Sequence, residues 1–187
     1  MNQKLLNIFF LFFLFCCFGQ QNQEFKEVKN YYDYQRFMLN NEFKKRFDQE
    51  NNLSNKISIE GTFQQFMVKL DSIQNYALVN ALVKVKIRED LDRLKFPTKL
   101  NTELENPTKN NLSKDAKYPG GFNLMRQQLV DLFYTNAVLA DHKILKTDLL
   151  FVVEKDGSIS SVQAKGDNFT FNRQAEIALY SLPDKFS

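Results

Sequence analysis

Apolar residues Phe25, Val28, Tyr32, Leu39, Phe43 and Phe47 fall at three- and four-residue spacing, with one skipped turn at Gln35-Arg36 and with Lys and Glu on the opposite face. That period predicts an amphipathic helix over 24–49, closed by the polar cluster Gln49-Glu50-Asn51-Asn52. The alternating run Lys56-Ile57-Ser58-Ile59-Glu60 fits a short strand, or, with Gly61 behind it, an extended lead-in to the next helix; the pattern leaves both open. Phe63, Phe66, Met67, Leu70, Ile73 and Ala77 mark that helix, which continues through Leu78, Ala81, Leu82 and Val85 to Leu91 and Leu94. Its stripe precesses, so a bend or break is expected near Tyr76. Phe and Met at this spacing read as packed core before they read as a ligand lining. Phe96-Pro97 stops the helix, because a residue before proline is pushed out of the helical region.

Residues 98–116 are polar and contain proline, with almost nothing to bury. They are the expected linker between a helical region, 20–97, and a second unit, 117–187. That unit opens on the turn Tyr118-Pro119-Gly120-Gly121, followed by a helical stripe of Phe122, Met125, Leu129, Leu132 and Phe133. Residues 146–153 read as a strand: Thr147, Leu149, Phe151 and Val153 share one face, Leu150 and Val152 the other. Apolar residues on both faces predict a strand covered on both sides. Asp156-Gly157 supplies the positive φ of a tight hairpin, and 158–164 returns. Ile159 and Val162 differ in parity, so a bulge near Ser160-Ser161 is needed to bring both to the core. Lys165-Gly166-Asp167-Asn168 is a turn, since one glycine beside an aspartate makes a poor anion cradle. Asn172 is expected to cap a last helix with the stripe Ala175, Ala178, Leu179 and Leu182, ended by Pro183. The fold class is α+β, and the predicted core of the second unit is Phe122, Met125, Leu149, Phe151, Ile159, Val162, Ala175 and Leu179.

Of the 187 residues, 43% are hydrophobic and 25% charged, which is globular composition and excludes wholesale disorder. Lys and Arg number 25 against 22 Asp and Glu, interspersed along the chain. A nucleic-acid binder concentrates its positive charge on one face; Lys44-Lys45-Arg46 is short, is followed by Asp48 and Glu50, and reads as a solvated helix face.

The first nineteen residues are a different material. Lys4 precedes Leu5-Leu6-Asn7-Ile8 and a Phe/Leu run, then Cys16-Cys17-Phe18-Gly19 and an abrupt switch to Gln20-Gln21-Asn22-Gln23. A basic start, a short apolar core and small residues at Cys17 and Gly19 predict a secretory signal peptide, 1–19, cleaved after Gly19 and directing the rest to the periplasm. The run is short for a bilayer span. Lipidation at Cys17 and an uncleaved anchor are the alternatives, and each still exports the chain. Both cysteines of the sequence lie in this segment, so the processed chain has no disulfide, thiolate nucleophile or cysteine metal site.

Side-chain chemistry is sparse. His142, the single histidine, follows Asp141 in a polar loop and reads as a surface imidazole; with no second His or Cys, neither the usual zinc sites nor a Ser-His-Asp arrangement has support. Glu89, Asp90 and Asp92 lie among Arg88, Arg93 and Lys95, where ion pairing along a helix accounts for them without a general acid. No catalytic residue, cofactor or metal site is predicted, and the chain reads as a non-enzyme.

The run from Tyr118-Pro119-Gly120-Gly121 through LLFVVEKDGSISSV to AEIALYSLP and Phe186 resembles the C-terminal domain of TonB-like energy transducers, in the form seen in many Bacteroidetes envelope proteins. The resemblance covers 117–187. It implies a small periplasmic α+β domain that grips the periplasmic plug of an outer-membrane transporter by adding a peptide strand to its sheet edge. The family runs on after the last helix, through an aromatic-x-Pro turn, into a third strand. Here the sequence stops one residue after Phe186, so a longer natural chain or another molecule is expected to pair beside the hairpin. Only four prolines are present, which leaves no long spacer and favours an exported domain with a helical N-terminal module over an anchored transducer. The expected partner-binding edge is the backbone of Lys146, Thr147, Asp148, Leu149, Leu150, Phe151, Val152 and Val153. An envelope scaffold, or a carrier holding an apolar ligand on the Phe-rich helices, is the alternative function.

Overall fold

The computed structural model describes residues 22–95, 116–140 and 144–187. The expected signal peptide, 1–19, Phe96-Pro97, the polar stretch 98–115 and His142 lie outside the described residues. In chain order the elements are α1 (Gln23–Gln49), α2 (Leu53–Lys95), α3 (Gly121–Leu132), a 3-10 turn (Thr135–Ala137), β1 (Asp148–Val153), β2 (Ile159–Lys165) and α4 (Phe169–Tyr180). Helices and one two-stranded antiparallel sheet make the chain α+β, as the pattern predicts.

The connection Glu50-Asn51-Asn52 folds α2 back along α1. Asn52 starts α2 by accepting from Ser54 N at 2.8 Å, while Glu50 accepts from the amides of Asn51 and Asn52, bonds that hold its carboxyl below the usual carboxylate range. The run 56–60 is therefore helical, and Ile57 stays exposed with no strand to pair with. No break occurs at Tyr76: α2 is one helix of 43 residues, roughly 65 Å long at 1.5 Å per residue. Its stripe precesses because α2 serves two partners in succession. Phe63 and Phe66 pack on Phe43 of α1, with ring centroids 5.2 and 5.7 Å away, whereas Leu78, Leu82 and Val85 pack into the core under the hairpin.

One cluster joins both sides of the 98–116 stretch. Phe25 of α1 and Ala81, Leu82 and Val85 of α2 meet Tyr118, Ile159, Val162, Ile177, Leu179, Tyr180 and Leu182, with Met125, Leu129, Leu132, Leu149, Phe151 and Phe186 packed against them. Seven of the eight predicted core residues are buried or packed on this core. Phe122 is the exception at 67% exposure, because the inward stripe of α3 begins one turn later, at Met125.

In the hairpin, Val153 opposes Ile159 and Val152 opposes Ser160, after which the register shifts before Leu150 opposes Gln163. Ser161 takes φ 55 at that shift, and the expected bulge turns both Ile159 and Val162 inward, to 3% and 2% exposure. Gly157 has φ 79, and a Cβ there would sit 1.9 Å from the Phe186 carbonyl oxygen. That close approach seats the chain end: Phe186 N donates to Gly157 O, Ser187 and Lys117 exchange backbone bonds, and the Phe186 ring lies between Tyr118 and Phe151. Two expectations are corrected. Leu150 and Val152 are 52% and 41% exposed, so the second face of β1 is open; the helices all pack on the face carrying Leu149 and Phe151. The cap of α4 is Asn168, whose side chain accepts from Phe171 N at 2.8 Å; Asn172 sits one turn inside and reaches back to Gly166 O.

Candidate functional site

Each strand of a two-stranded sheet has one paired and one outer edge. Glu154 N donates to Ser158 O at 2.8 Å to close the hairpin. By two-residue alternation the backbone groups of Leu150 and Val152 then face β2, and those of Leu149, Phe151 and Val153 face outward.

The outer edge of β2 is occupied by side chains. Ser161 N donates to Glu89 at 3.1 Å, Val162 N to the Tyr180 hydroxyl at 3.1 Å and Ala164 N to Glu176 at 3.0 Å, while Val162 O accepts from Lys86 Nζ at 3.2 Å. Two helices supply them: Lys86 and Glu89 lie one turn apart on α2, and Glu176 and Tyr180 one turn apart on α4. The four side chains also bind one another. Lys86 bridges to Glu176 at 2.9 Å, and the Tyr180 hydroxyl donates to the Glu89 carboxylate at 2.9 Å. Arg93 holds the Ser161 hydroxyl at 3.0 Å, pinning the bulge from the same helix. The Tyr180 ring, 1% exposed, stacks on Phe25 at 5.6 Å; burial, with the Glu89 carboxylate adding to it, raises its hydroxyl pKa well above the ordinary tyrosine value.

Every acceptor in this cluster is engaged in holding the strand. Glu89 leaves the helical ladder the sequence suggested: Asp90 pairs with Arg93 and Asp92 with Lys95 at three-residue spacing, but Glu89 crosses to β2 and α4, and Arg88 crosses to Glu24 of α1. Sequence reasoning did not single out Lys86, Glu176 or Tyr180. The available signal was a glutamate and a tyrosine four apart among the apolar residues of the last helix.

The outer edge of β1 differs. Among the described residues, no hydrogen bond reaches the outward backbone groups of Leu149, Phe151 or Val153. Of the eight residues expected at the partner edge, Asp148 to Val153 form the strand, while Lys146 and Thr147 run into it without joining the ladder. Of the expected eight, then, only Leu149, Phe151 and Val153 turn backbone groups to the open side of β1, and the side chains of Leu149 and Phe151 pack on the core.

Elsewhere, a cleft of about 760 Å³ lies between α1, α2, α3 and the segment after α4, lined by Arg36, Asp71, Gln74, Asp131 and Lys185 among others. Arg36 already bonds Asp71 at 2.6 Å across it. Phe63, Phe66 and Met67 do not line this cleft; from the apolar stripes of the two long helices, Phe25 and Leu78 do. Among the described residues no group of three or more metal-ligating side chains occurs, and no helix is long and apolar enough to cross a membrane. Comparison with family models, with curated proteins and with solved structures found no match.

Proposed function

We propose that this chain is an exported, periplasmic protein-binding module that recognises a partner by accepting an extended segment as a strand beside β1. The partner class implied by the TonB-like resemblance is the periplasmic plug of an outer-membrane transporter. The observation that carries the reading is the inequality of the two hairpin edges: side chains of α2 and α4 hold four outward backbone groups of β2 between Ser161 and Ala164, and among the described residues no hydrogen bond reaches the outward backbone of β1. An unpaired edge is a template for another chain, and proteins that do not use such an edge cover it.

Backbone pairing alone makes this a weak grip. Three outward residues offer up to three donors and three acceptors, worth about 0.5–1.5 kcal/mol net each. That sum is of the same order as the cost of association, about 4–15 kcal/mol, so side chains must complete the affinity. The test is amide hydrogen exchange on the full chain, with and without peptides copied from transporter plug segments. Slowed exchange at Leu149, Phe151 and Val153 on peptide addition is expected. Binding that protects other amides and leaves these three unchanged overturns the reading.

A further inference from the structure

The face of β1 turned away from the core reads Asp148, Leu150, Val152, Glu154. Leu150 and Val152 are 52% and 41% exposed, and a carboxylate stands at each end of the pair. Glu154 belongs to this face because Ser160, which opposes Val152 across the sheet, donates its hydroxyl to the Glu154 carboxylate. The neighbours already in place on β2 are Lys165 opposite Asp148, Gln163 opposite Leu150 and Ser160 opposite Val152. Lys165 offsets one of the two acidic groups, and no cation of the described residues pairs with Glu154. A strand laid along the open edge puts alternate side chains directly beside these four, within the 4.5–5.5 Å that makes cross-strand pairs interact.

We propose that the incoming segment carries the pattern basic-x-apolar-x-apolar-x-basic, its two apolar residues covering Leu150 and Val152 and its two cations facing Asp148 and Glu154. This rests on the strand-addition reading and names the chemistry of its partner. The pattern is the same read in either direction, so it selects composition and spacing and leaves both strand orientations to the backbone. The intervening x positions face the core side, where Leu149 and Phe151 are already packed, and small or β-branched residues suit them.

The test titrates the full chain at low salt with three end-blocked, fluorescently labelled peptides: KTVTVTK, ETVTVTE and KTSTSTK. KTVTVTK is expected to bind tightest, roughly ten-fold more tightly than ETVTVTE, the size of two exposed charge pairs changed from favourable to unfavourable. KTSTSTK is expected to lose binding as well, because it leaves Leu150 and Val152 uncovered. In a Glu154→Lys chain each charged peptide meets one favourable and one unfavourable neighbour, so the preference between KTVTVTK and ETVTVTE disappears. Glu154 is exposed, and an unchanged circular dichroism spectrum verifies that the variant is folded. Equal binding of the two charged peptides, or a preference that survives Glu154→Lys, overturns the pattern, and strand addition still stands if the outward amides are protected. Absence of protection at Leu149, Phe151 and Val153 with all three peptides overturns both.

Discussion

The two edges of this hairpin lie only one strand apart, and they are treated in opposite ways. Along β2 a lysine, two glutamates and a tyrosine from two helices take up four backbone groups of residues 161–164, so that stretch of the edge is covered without a third strand. Along β1 no described hydrogen bond reaches the outward backbone groups, and the solvent face presents two hydrophobes, Leu150 and Val152, flanked by Asp148 and Glu154. Closing an edge with side chains also locks the bulge, which lets helix packing and strand register stabilise each other. Leaving the other edge open leaves unspent backbone groups, two hydrophobes and the two carboxylates that flank them. The difference teaches where to look for function in a fold with sparse side-chain chemistry: at the polar groups the fold does not satisfy itself.

The comparison breaks most severely at Tyr180. Tyr180→Ala removes a buried ring and the hydroxyl that serves Val162, and is expected to cost about 4 kcal/mol, as buried aromatic truncations do. Urea titration measures it, and exchange should show the amides of β2 losing protection before those of α1. A gentler variant, Tyr180→Phe, keeps the ring and removes the hydroxyl, at an expected cost of about 1–3 kcal/mol for the orphaned Val162 N–H and the bond lost to Glu89, which keeps Ser161 N. The same pair separates by pH. The folded state raises the Tyr180 pKa, so the unfolded chain releases that proton first, at about pH 10. The contribution is complete below that pH and is lost as pH rises above it; the wild-type chain should therefore lose stability more steeply above pH 10 than Tyr180→Phe. The smallest effect on stability sharpens the contrast. Leu150→Thr on the open strand should change stability by less than about 0.5 kcal/mol, as exposed positions do, while weakening any strand that docks beside it.

Much of the second half was legible in the residues. Asp156-Gly157 specified the turn because few residues tolerate a positive φ, and the parity conflict between Ile159 and Val162 demanded the bulge found at Ser161. Both arguments are local. Other positions failed where locality failed. Asn168 and Asn172 are both competent caps, and the choice between them was made by where β2 releases the chain, at Lys165. Phe122 has the right spacing for the core, but the first turn of α3 carries nothing into it. Leu150 and Val152 promised a second covered face, and no described element lies over them. The cover on β2 left no local trace in the sequence, since Lys86 and Glu89 are more than seventy residues from the strand they hold.

Periodicity, turn chemistry and the apolar stripes by themselves determined the elements of this chain: the helices, the hairpin, its bulge and part of the second-half core, with Tyr118, Ile177 and Tyr180 left out. Those follow from short-range sterics and from the need of each apolar face to leave water, which act within a few residues. Which hairpin edge is closed was decided only by the tertiary structure. Hydrogen bonding there depends on the placement of side chains distant in sequence to within a few tenths of an ångström, and α2 and α4 bring theirs to β2 alone.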